Sequence, residues 1–228
     1  MSGFSYPEWI GEIYPKGTKR QLMLAAYAEI FPAVEINMTF RRLPAEGTVD
    51  KWRDAVPESF RFAMKAFQII THWRRLVDTE DNVKEFMDLA HRLEGRLGPV
   101  LFQVPATMKF DAAVIDAFGA SLPTDALWAF EPREPSFLEA DALDTLERHS
   151  LALCLNDDVF DPGRYRATAG FAYFRFHRDF YTDDDLEQRA EIVRTIAEGG
   201  TDVYVFFAHE DNPDSVRPAL SFRELVSG

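Results

Sequence analysis

The sequence has almost no cysteine, no basic leader and no long apolar run, and each absence narrows the class of protein. Cys154 is the only cysteine among 228 residues, so an intramolecular disulfide is excluded and a reducing compartment is favoured. Residues 1–7 lack the basic start and apolar stretch of a secretory signal. No apolar run approaches the roughly 20 residues that cross a bilayer. We therefore expect a cytoplasmic protein, with Cys154 as a small core residue.

An excess of positive charge is also missing. The formal net charge is −13, and such a body repels polyanions at long range. Coating of nucleic acid and docking on an anionic membrane are therefore disfavoured, although a local basic patch could still bind phosphate. Hydrophobic residues make up 46% of the chain, which is ordinary for a globular protein with a core.

Short apolar runs alternate along the whole chain with stretches of helical periodicity. This alternation predicts a single α/β domain over residues 1–228, a TIM-type (β/α)8 barrel whose first strand is truncated. The open doubly wound sheet is the alternative, but no glycine-rich dinucleotide fingerprint follows any strand. The predicted strands are 1–5, 33–37, 60–65, 99–104, 127–131, 151–156, 171–177 and 202–207. The predicted helices are 19–31, 48–56, 79–97, 111–121, 138–149, 183–199 and 215–226.

Polar side chains stand at the carboxyl end of nearly every predicted strand, where barrels of this type carry their working residues. The carboxylates and imidazoles suit acid/base chemistry, and the cations and amides suit an anionic substrate. Each residue alone is equally compatible with a structural ion pair, so the prediction depends on their convergence. The predicted catalytic residues are Glu35, His72, Glu131 and His177. The predicted substrate-binding residues are Tyr6, Asn37, Thr39, Arg41, Lys65, Gln103, Arg133 and Arg175.

A divalent metal site is left open by the sequence. His72, His177 and His209 fall in the strand-end layer with Glu35, Glu131, Asp157 and Asp211, and these are metal-ligating residue types. There is no His-Glu-x-x-His motif or tight ligand pair, so the pattern is weak. No cofactor is certain.

Several ordered motifs resemble the domain of unknown function 72 family, also called YecE-like. They are Ser2-Gly-Phe-Ser-Tyr-Pro-Glu-Trp9, Val34-Glu-Ile-Asn-Met-Thr-Phe40, Phe62-Ala-Met-Lys65, Ile70-Thr-His72, Leu97-Gly-Pro-Val-Leu-Phe-Gln103, Ala129-Phe-Glu-Pro-Arg133 and Tyr173-Phe-Arg-Phe-His177. The resemblance implies a TIM-type barrel and no settled activity. It also points to Tyr6, Glu35, Asn37, Thr39, Lys65, His72, Gln103, Glu131, Arg133, Arg175 and His177.

The sequence departs from the family pattern in four places, of which the first is the shorter first strand before Ser2-Gly3. Arg41 stands where the family has an aromatic residue, and Arg178 stands where it has glycine. The last strand runs into Ala208 and His209 in place of two asparagines. The eighth-strand part of a family site is therefore altered here.

Three functions are compatible with these residues. The first is an enzyme for a small anionic or sugar-like substrate, with Tyr6, Trp9 and Trp73 as an apolar wall. The second is nucleotide or nucleic-acid binding, or a metal-dependent phosphodiesterase, using Arg74, Arg75 and aromatic stacking. The third is a non-catalytic barrel that binds a partner. The oligomeric state is left open.

Overall fold

Parallel strands alternate with helices throughout the computed structural model, which describes residues 1–157, 165–207 and 212–227. In these ranges seven strands form one sheet in chain order. The strands are β1 (Ala33–Ile36), β2 (Arg61–Lys65), β3 (Leu97–Gln103), β4 (Trp128–Glu131), β5 (Leu151–Asn156), β6 (Phe171–Phe176) and β7 (Asp202–Phe207). The α-helices are α1 (Met23–Ala28), α2 (Glu46–Asp54), α3 (Glu80–Ala90), α4 (Ala112–Ser121), α5 (Ala140–Arg148), α6 (Asp183–Glu198) and α7 (Arg217–Ser227).

The first two residues lie between the two edge strands of the sheet. The backbone N–H of Ser2 donates to the carbonyl of Phe207 on β7 at 3.0 Å, and the N–H of Glu35 on β1 donates to the carbonyl of Met1 at 3.1 Å. These bonds bring the edges together into a nearly closed barrel, so the predicted TIM-type fold is confirmed. The predicted first strand, 1–5, is reduced to one bridge between Ser2 and Glu35.

Two predicted helices are interrupted. The helix predicted over 19–31 is a 3-10 turn at Arg20–Leu22 followed by the short α1. The helix predicted over 79–97 becomes 3-10 after Ala90, and Glu94 within that segment has φ 54. A left-handed residue ends the helical hydrogen-bond ladder, which lets the chain enter β3 at Leu97. In the described part of the chain, no helix is long and apolar enough to cross a membrane.

The two faces of the strands bury different residues. The outward faces pack large aromatic side chains against the helices; Phe102, for example, lies 4.9 Å from Phe118 and 5.4 Å from Trp128 between ring centroids. The side chains on the inward faces form a second hydrophobic cluster with fewer residues, separate from the first. Cys154 belongs to it and is fully buried, as predicted. The members of this inner cluster are Ala63, Leu101, Ala129, Ala152, Cys154, Phe171, Tyr173 and Phe206.

Side chains alternate between the faces of a strand, so the residue two positions beyond an inner residue also points inward. At the carboxyl ends of six strands this next inward residue is polar. The apolar interior therefore ends in a polar layer at the mouth of the barrel. The layer consists of Glu35, Lys65, Gln103, Glu131, Asn156 and Arg175.

Candidate functional site

Arg175 is the centre of the polar layer. Its guanidinium donates from Nη2 to Glu35 Oε1 at 2.9 Å and from Nη1 to Glu131 Oε2 at 2.6 Å. Burial alone would lower its pKa, but the two carboxylates outweigh this and raise the pKa above its ordinary value. All three residues are buried. A charge taken out of water must be paired in this way, and Arg175 consequently ties β6 to β1 and β4.

Glu35 accepts hydrogen bonds at both carboxylate oxygens. Its Oε1 accepts from the Ser2 hydroxyl at 2.7 Å as well as from Arg175, and its Oε2 accepts from the Tyr173 hydroxyl at 2.7 Å. Burial would raise the pKa of Glu35, but Arg175, His177 and these hydrogen bonds outweigh it and lower the pKa to about 2. Glu35 is therefore a fixed anion at neutral pH.

Glu131 is held by amide and cationic donors. Gln103 donates to Oε2 at 2.7 Å and Asn156 donates to Oε1 at 3.0 Å. Arg133 approaches Oε1 to 3.2 Å from the solvent side. Burial opposes ionisation, but Arg175 and Arg133 with these amides lower the pKa of Glu131. Both carboxylates of the layer are thus ionised and paired.

Lys65 lies one step further out, at the edge of solvent. Its Nζ donates to Gln103 Oε1 at 2.8 Å and stands 4.3 Å from the centroid of the Phe40 ring. Burial and the cationic Arg175 lower the pKa of Lys65 to about 8. A chain of hydrogen bonds therefore runs from Arg175 through Glu131 and Gln103 to the ammonium group.

The segment after β2 carries His72 to the mouth in an unusual backbone. Ile69–Trp73 is a π-helix, a rare element that is frequent at functional sites. Arg75, Leu76 and Asp78 just beyond it have positive φ, a conformation that costs free energy for side chains other than glycine. The His72 ring lies edge-on against Phe40 at 4.8 Å. Burial and the nearby Lys65 lower the pKa of His72.

The segment after β6 carries His177, whose Nε2 lies 3.4 Å from the Ser2 hydroxyl oxygen. Its backbone N–H donates to Asp157 Oδ2 at 2.5 Å, and the same oxygen accepts from the Tyr181 hydroxyl at 2.6 Å. Arg189 donates to Asp157 Oδ1 at 2.7 Å. Asp157 is thus a structural acceptor that fixes the start of this loop.

Comparison with known families agrees with this architecture. The sequence pattern of the family described as "Protein of unknown function DUF72" matches residues 1–228. The chain belongs to the DUF72 family. The resemblance seen in the motifs is therefore confirmed, and it brings no established reaction with it.

The DUF72 chain has bacterial relatives of the same kind. It is 32% identical over 158 residues to the UPF0759 protein YecE of Escherichia coli O157:H7, a match that covers 68% of this chain and 57% of that protein. It is 33% identical over 99 residues to the UPF0759 protein YunF of Bacillus subtilis strain 168, covering 41% and 35% respectively. The matches thus span about half the length of these relatives, or less.

Solved DUF72 structures share the fold. A DUF72 family protein of Thermotoga maritima superposes with a TM-score of 0.87 at 25% identity, covering 100% of this chain and 98% of that one. One from Enterococcus faecalis gives 0.82 at 20% identity, covering 100% and 94%. A xylose isomerase-like TIM barrel/4-hydroxyphenylpyruvate dioxygenase fusion protein gives 0.58 at 13% identity, covering 90% and 40%, and shows the fold alone.

The structure of this DUF72 chain brings most of the predicted site residues together. Glu35, Lys65, Gln103, Glu131, Arg133 and Arg175 form one bonded set. Thr39 lies against the carbonyl of Lys65 at 2.7 Å, and the Tyr6 hydroxyl donates to the carbonyl of Ser2 at 3.3 Å. Asn37 contributes a buried Oδ1 that accepts no hydrogen bond within the described residues. Whether these residues act on a substrate stays a prediction.

Other predicted residues lie apart from this set. Arg41 is exposed and directly follows the 3-10 turn Met38–Phe40. Trp9 is fully buried in the outer core, so its predicted place in an apolar wall is wrong, because the turn Pro7–Trp9 folds it inward. Trp73 is 68% exposed and remains available. Arg74 and Arg75 are exposed beside it.

Sequence reasoning missed two hydroxyls that hold Glu35, those of Ser2 and Tyr173. Tyr173 could have been found, since it stands two positions before Arg175 and so shares its inward face. The role of Ser2 depends on the closure of the barrel between β7 and β1, which no local pattern reveals.

The sequence leaves a metal site open, and the described residues do not decide it. In residues 1–157, 165–207 and 212–227, no group of three or more His, Cys, Asp or Glu side chains could hold a metal ion. The candidate ligands His209 and Asp211 lie outside these ranges, as does Ala208 of the altered last-strand end.

Proposed function

We propose that the mouth of the barrel is the active site of an enzyme for a small anionic, sugar-like substrate. The observation that carries the proposal is the bonded set from Arg175 to Lys65. Buried ions fix its inner half, and its outer half presents Lys65 and Arg133 to solvent. Preorganised charges of this kind suit catalysis because they need not reorient when the substrate reacts.

The anionic group of the substrate is assigned to Arg133. Its side chain is 39% exposed, and it approaches Glu131 through Nη2 at 3.2 Å. A guanidinium offers five N–H donors in a fixed planar fork, so it can bind several acceptors at once. Glu131 holds the guanidinium at the mouth, and forked hydrogen bonds to a phosphate or carboxylate are typical of arginine.

The hydroxyl-bearing part of the substrate is assigned to the amide of Asn37 and the ring of Trp73. Asn37 offers a buried Oδ1 that accepts no hydrogen bond from the described residues, and a buried acceptor of this kind calls for a donor. Trp73 stands exposed on the strained segment after β2. An aromatic face beside polar anchors is the usual composition of a small-molecule site.

Proton transfer is assigned to the histidines and away from the carboxylates. A general acid or base works best when its pKa lies near the operating pH. Arg175 and its neighbours instead hold the pKa of Glu35 at about 2, against the effect of burial. In this proposal Glu35 and Glu131 orient Arg175 and Arg133, while His72 and His177 exchange protons with the substrate.

An anion-binding measurement tests the proposed function. Titration calorimetry with inorganic phosphate and ribose 5-phosphate should show binding that Arg133→Ala weakens by about ten- to a hundredfold, since a charge-assisted hydrogen bond contributes about 1.5–3 kcal/mol. Arg148→Ala is the matched control, because Arg148 is exposed on α5 and pairs with Asp116 away from the mouth. Its affinity should equal that of the unmodified chain.

Equal affinity in the Arg133→Ala variant would contradict the assignment. Binding of single-stranded DNA that weakens steeply with salt would favour the nucleic-acid function instead. If neither the phosphate compounds nor single-stranded DNA binds, the non-catalytic barrel is favoured.

A further inference from the structure

Lys65 differs from every other lysine of the chain. There are six lysines, and Lys16, Lys19, Lys51, Lys84 and Lys109 are all exposed. Lys65 alone is half-buried, at the last inward position of β2. It is also the lysine that opens onto the proposed active site.

Gln103 separates this amine from the nearest carboxylate of the network. The Gln103 amide nitrogen donates to Glu131, and this bond turns the amide oxygen towards Lys65 Nζ at 2.8 Å. Lys65 forms no ion pair with any carboxylate of the described residues. An amide acceptor needs only one N–H from the amine, so the bond to Gln103 survives deprotonation and leaves the nitrogen lone pair available.

The surroundings of Lys65 raise the fraction of neutral amine above that of an exposed lysine. Burial and Arg175 lower its pKa to about 8, against the attraction of Glu131 and Glu35, whereas an exposed lysine titrates near about 10.4. At neutral pH the fraction of Lys65 that is the neutral amine is therefore more than a hundredfold larger than that of a surface lysine, because the two pKa values differ by roughly 2.4. A lysine made nucleophilic by desolvation and a neighbouring cation forms Schiff bases with carbonyl compounds.

We infer that Lys65 Nζ is the covalent nucleophile of the proposed active site, forming a Schiff base with the aldehyde or ketone of a small anionic substrate. The inference rests on the proposed function, in which Arg133 holds the anionic group. The lone pair of Nζ forms the new C–N bond as the carbonyl π electrons move to oxygen. The amine gives up both of its protons, and these leave with the former carbonyl oxygen as one water molecule while the C=N bond forms. No oxidant or reductant is consumed.

His72 is placed to move the proton in this step. It packs against the edge of the same Phe40 ring over which Lys65 Nζ lies. Thr71 Oγ1 lies 2.9 Å from His72 Nδ1 and orients the ring. Because burial and Lys65 lower the pKa of His72, the imidazole is neutral at pH 7 and accepts the proton that the nitrogen loses on attack.

Reductive trapping tests the inference on the intact chain. The protein is incubated with glyoxylate or pyruvate and cyanoborohydride, which reduces the iminium form of the Schiff base, and the adducts are located by peptide mass spectrometry. We expect Lys65 to be labelled at least about tenfold faster than any other lysine at pH 7.5, because of its larger neutral fraction. Lys65→Arg keeps the charge and should abolish the fast adduct, and Lys84→Arg should leave it unchanged.

The pH profile gives a readout that simple accessibility would not produce. The labelling rate of Lys65 should level off above about pH 8, whereas labelling of the five exposed lysines should still rise. Gln103→Glu places a carboxylate against Nζ, which stabilises the ammonium form. This variant should slow the labelling of Lys65 several-fold at pH 7.5 and recover the rate at higher pH.

The outcomes separate this inference from the proposed function. Labelling of all six lysines in proportion to exposure, or a Lys65 profile parallel to theirs, would overturn the nucleophile. If Arg133-dependent binding of phosphate persists in that case, the anion site stands and Lys65 acts in it only as a cation. If phosphate binding is also missing, the proposed function falls with the inference.

Discussion

Replacing Arg175 by methionine is expected to lower the free energy of unfolding by about 3 to 5 kcal/mol, because removing one partner of a buried ion pair leaves an uncompensated charge. Here two carboxylates are affected, since Glu35 and Glu131 both lose the Arg175 guanidinium and only Glu131 keeps a second cation, Arg133. Methionine fills a similar volume, so the loss reports on charge more than on packing. Urea denaturation at pH 7 measures it.

A surface ion pair supplies the control. Arg148 on α5 is 56% exposed and pairs with Asp116, and Arg148→Met should cost less than about 1 kcal/mol. If Arg175→Met proves too unstable at pH 7, it should gain stability as the pH is lowered. With the cation gone, burial raises the carboxyl pKa values above their unfolded values, and such groups stabilise the fold at low pH. Equal losses in the two variants would contradict the central role of Arg175.

Acid should remove about 3 kcal/mol of stability through Glu35 alone, since two pKa units correspond to about that free energy. Arg175, His177 and two hydroxyls outweigh burial and hold the folded pKa of Glu35 at about 2, against about 4.3 in an unfolded chain. The folded pKa is the lower one. The contribution is therefore complete above about pH 5 and is lost as the pH falls towards 2.

Glu35→Gln tests this linkage, because glutamine has the shape of the carboxyl group and does not titrate. The difference in unfolding free energy between the unmodified chain and the variant should be largest at pH 6–7 and shrink steadily below about pH 4. Glu139→Gln is the control, since Glu139 is exposed before α5, and its difference should stay near zero throughout. A Glu35→Gln difference independent of pH would show that Glu35 is not a low-pKa anion in the fold.

The strands were predictable because their signal is local. A short, mostly apolar run with a polar residue at or next to its carboxyl end recurs at 33–37, 60–65 and 99–104, and the structure has strands there within two residues at each end. The first strand was harder, since residues 1–5 contain Gly3 and Ser5 among the apolar residues. Only the unpaired edges of β1 and β7 make Met1 and Ser2 part of the barrel.

The membership of the site was also predictable in large part. The carboxyl ends of parallel strands all lie on one side of the barrel. Polar residues at those ends are therefore close together even when the exact register between the strands is unknown. Their partners were not predictable. The sequence allows either Lys65 or Arg175 to pair with Glu35, and the structure gives Glu35 to Arg175 and Lys65 to Gln103.

The sequence by itself determined the alternating elements, the barrel, the family and the side of the barrel on which polar residues gather, because each depends on order and periodicity along the chain. Only the tertiary structure decided which carboxylate lies against which cation. That choice depends on the register between strands far apart in sequence, such as β1 and β6, and on barrel closure. It is the reason that Glu35 and Glu131 are held as paired anions, while Lys65 donates to Gln103 and forms no ion pair with a carboxylate in the part of the chain that the structure describes.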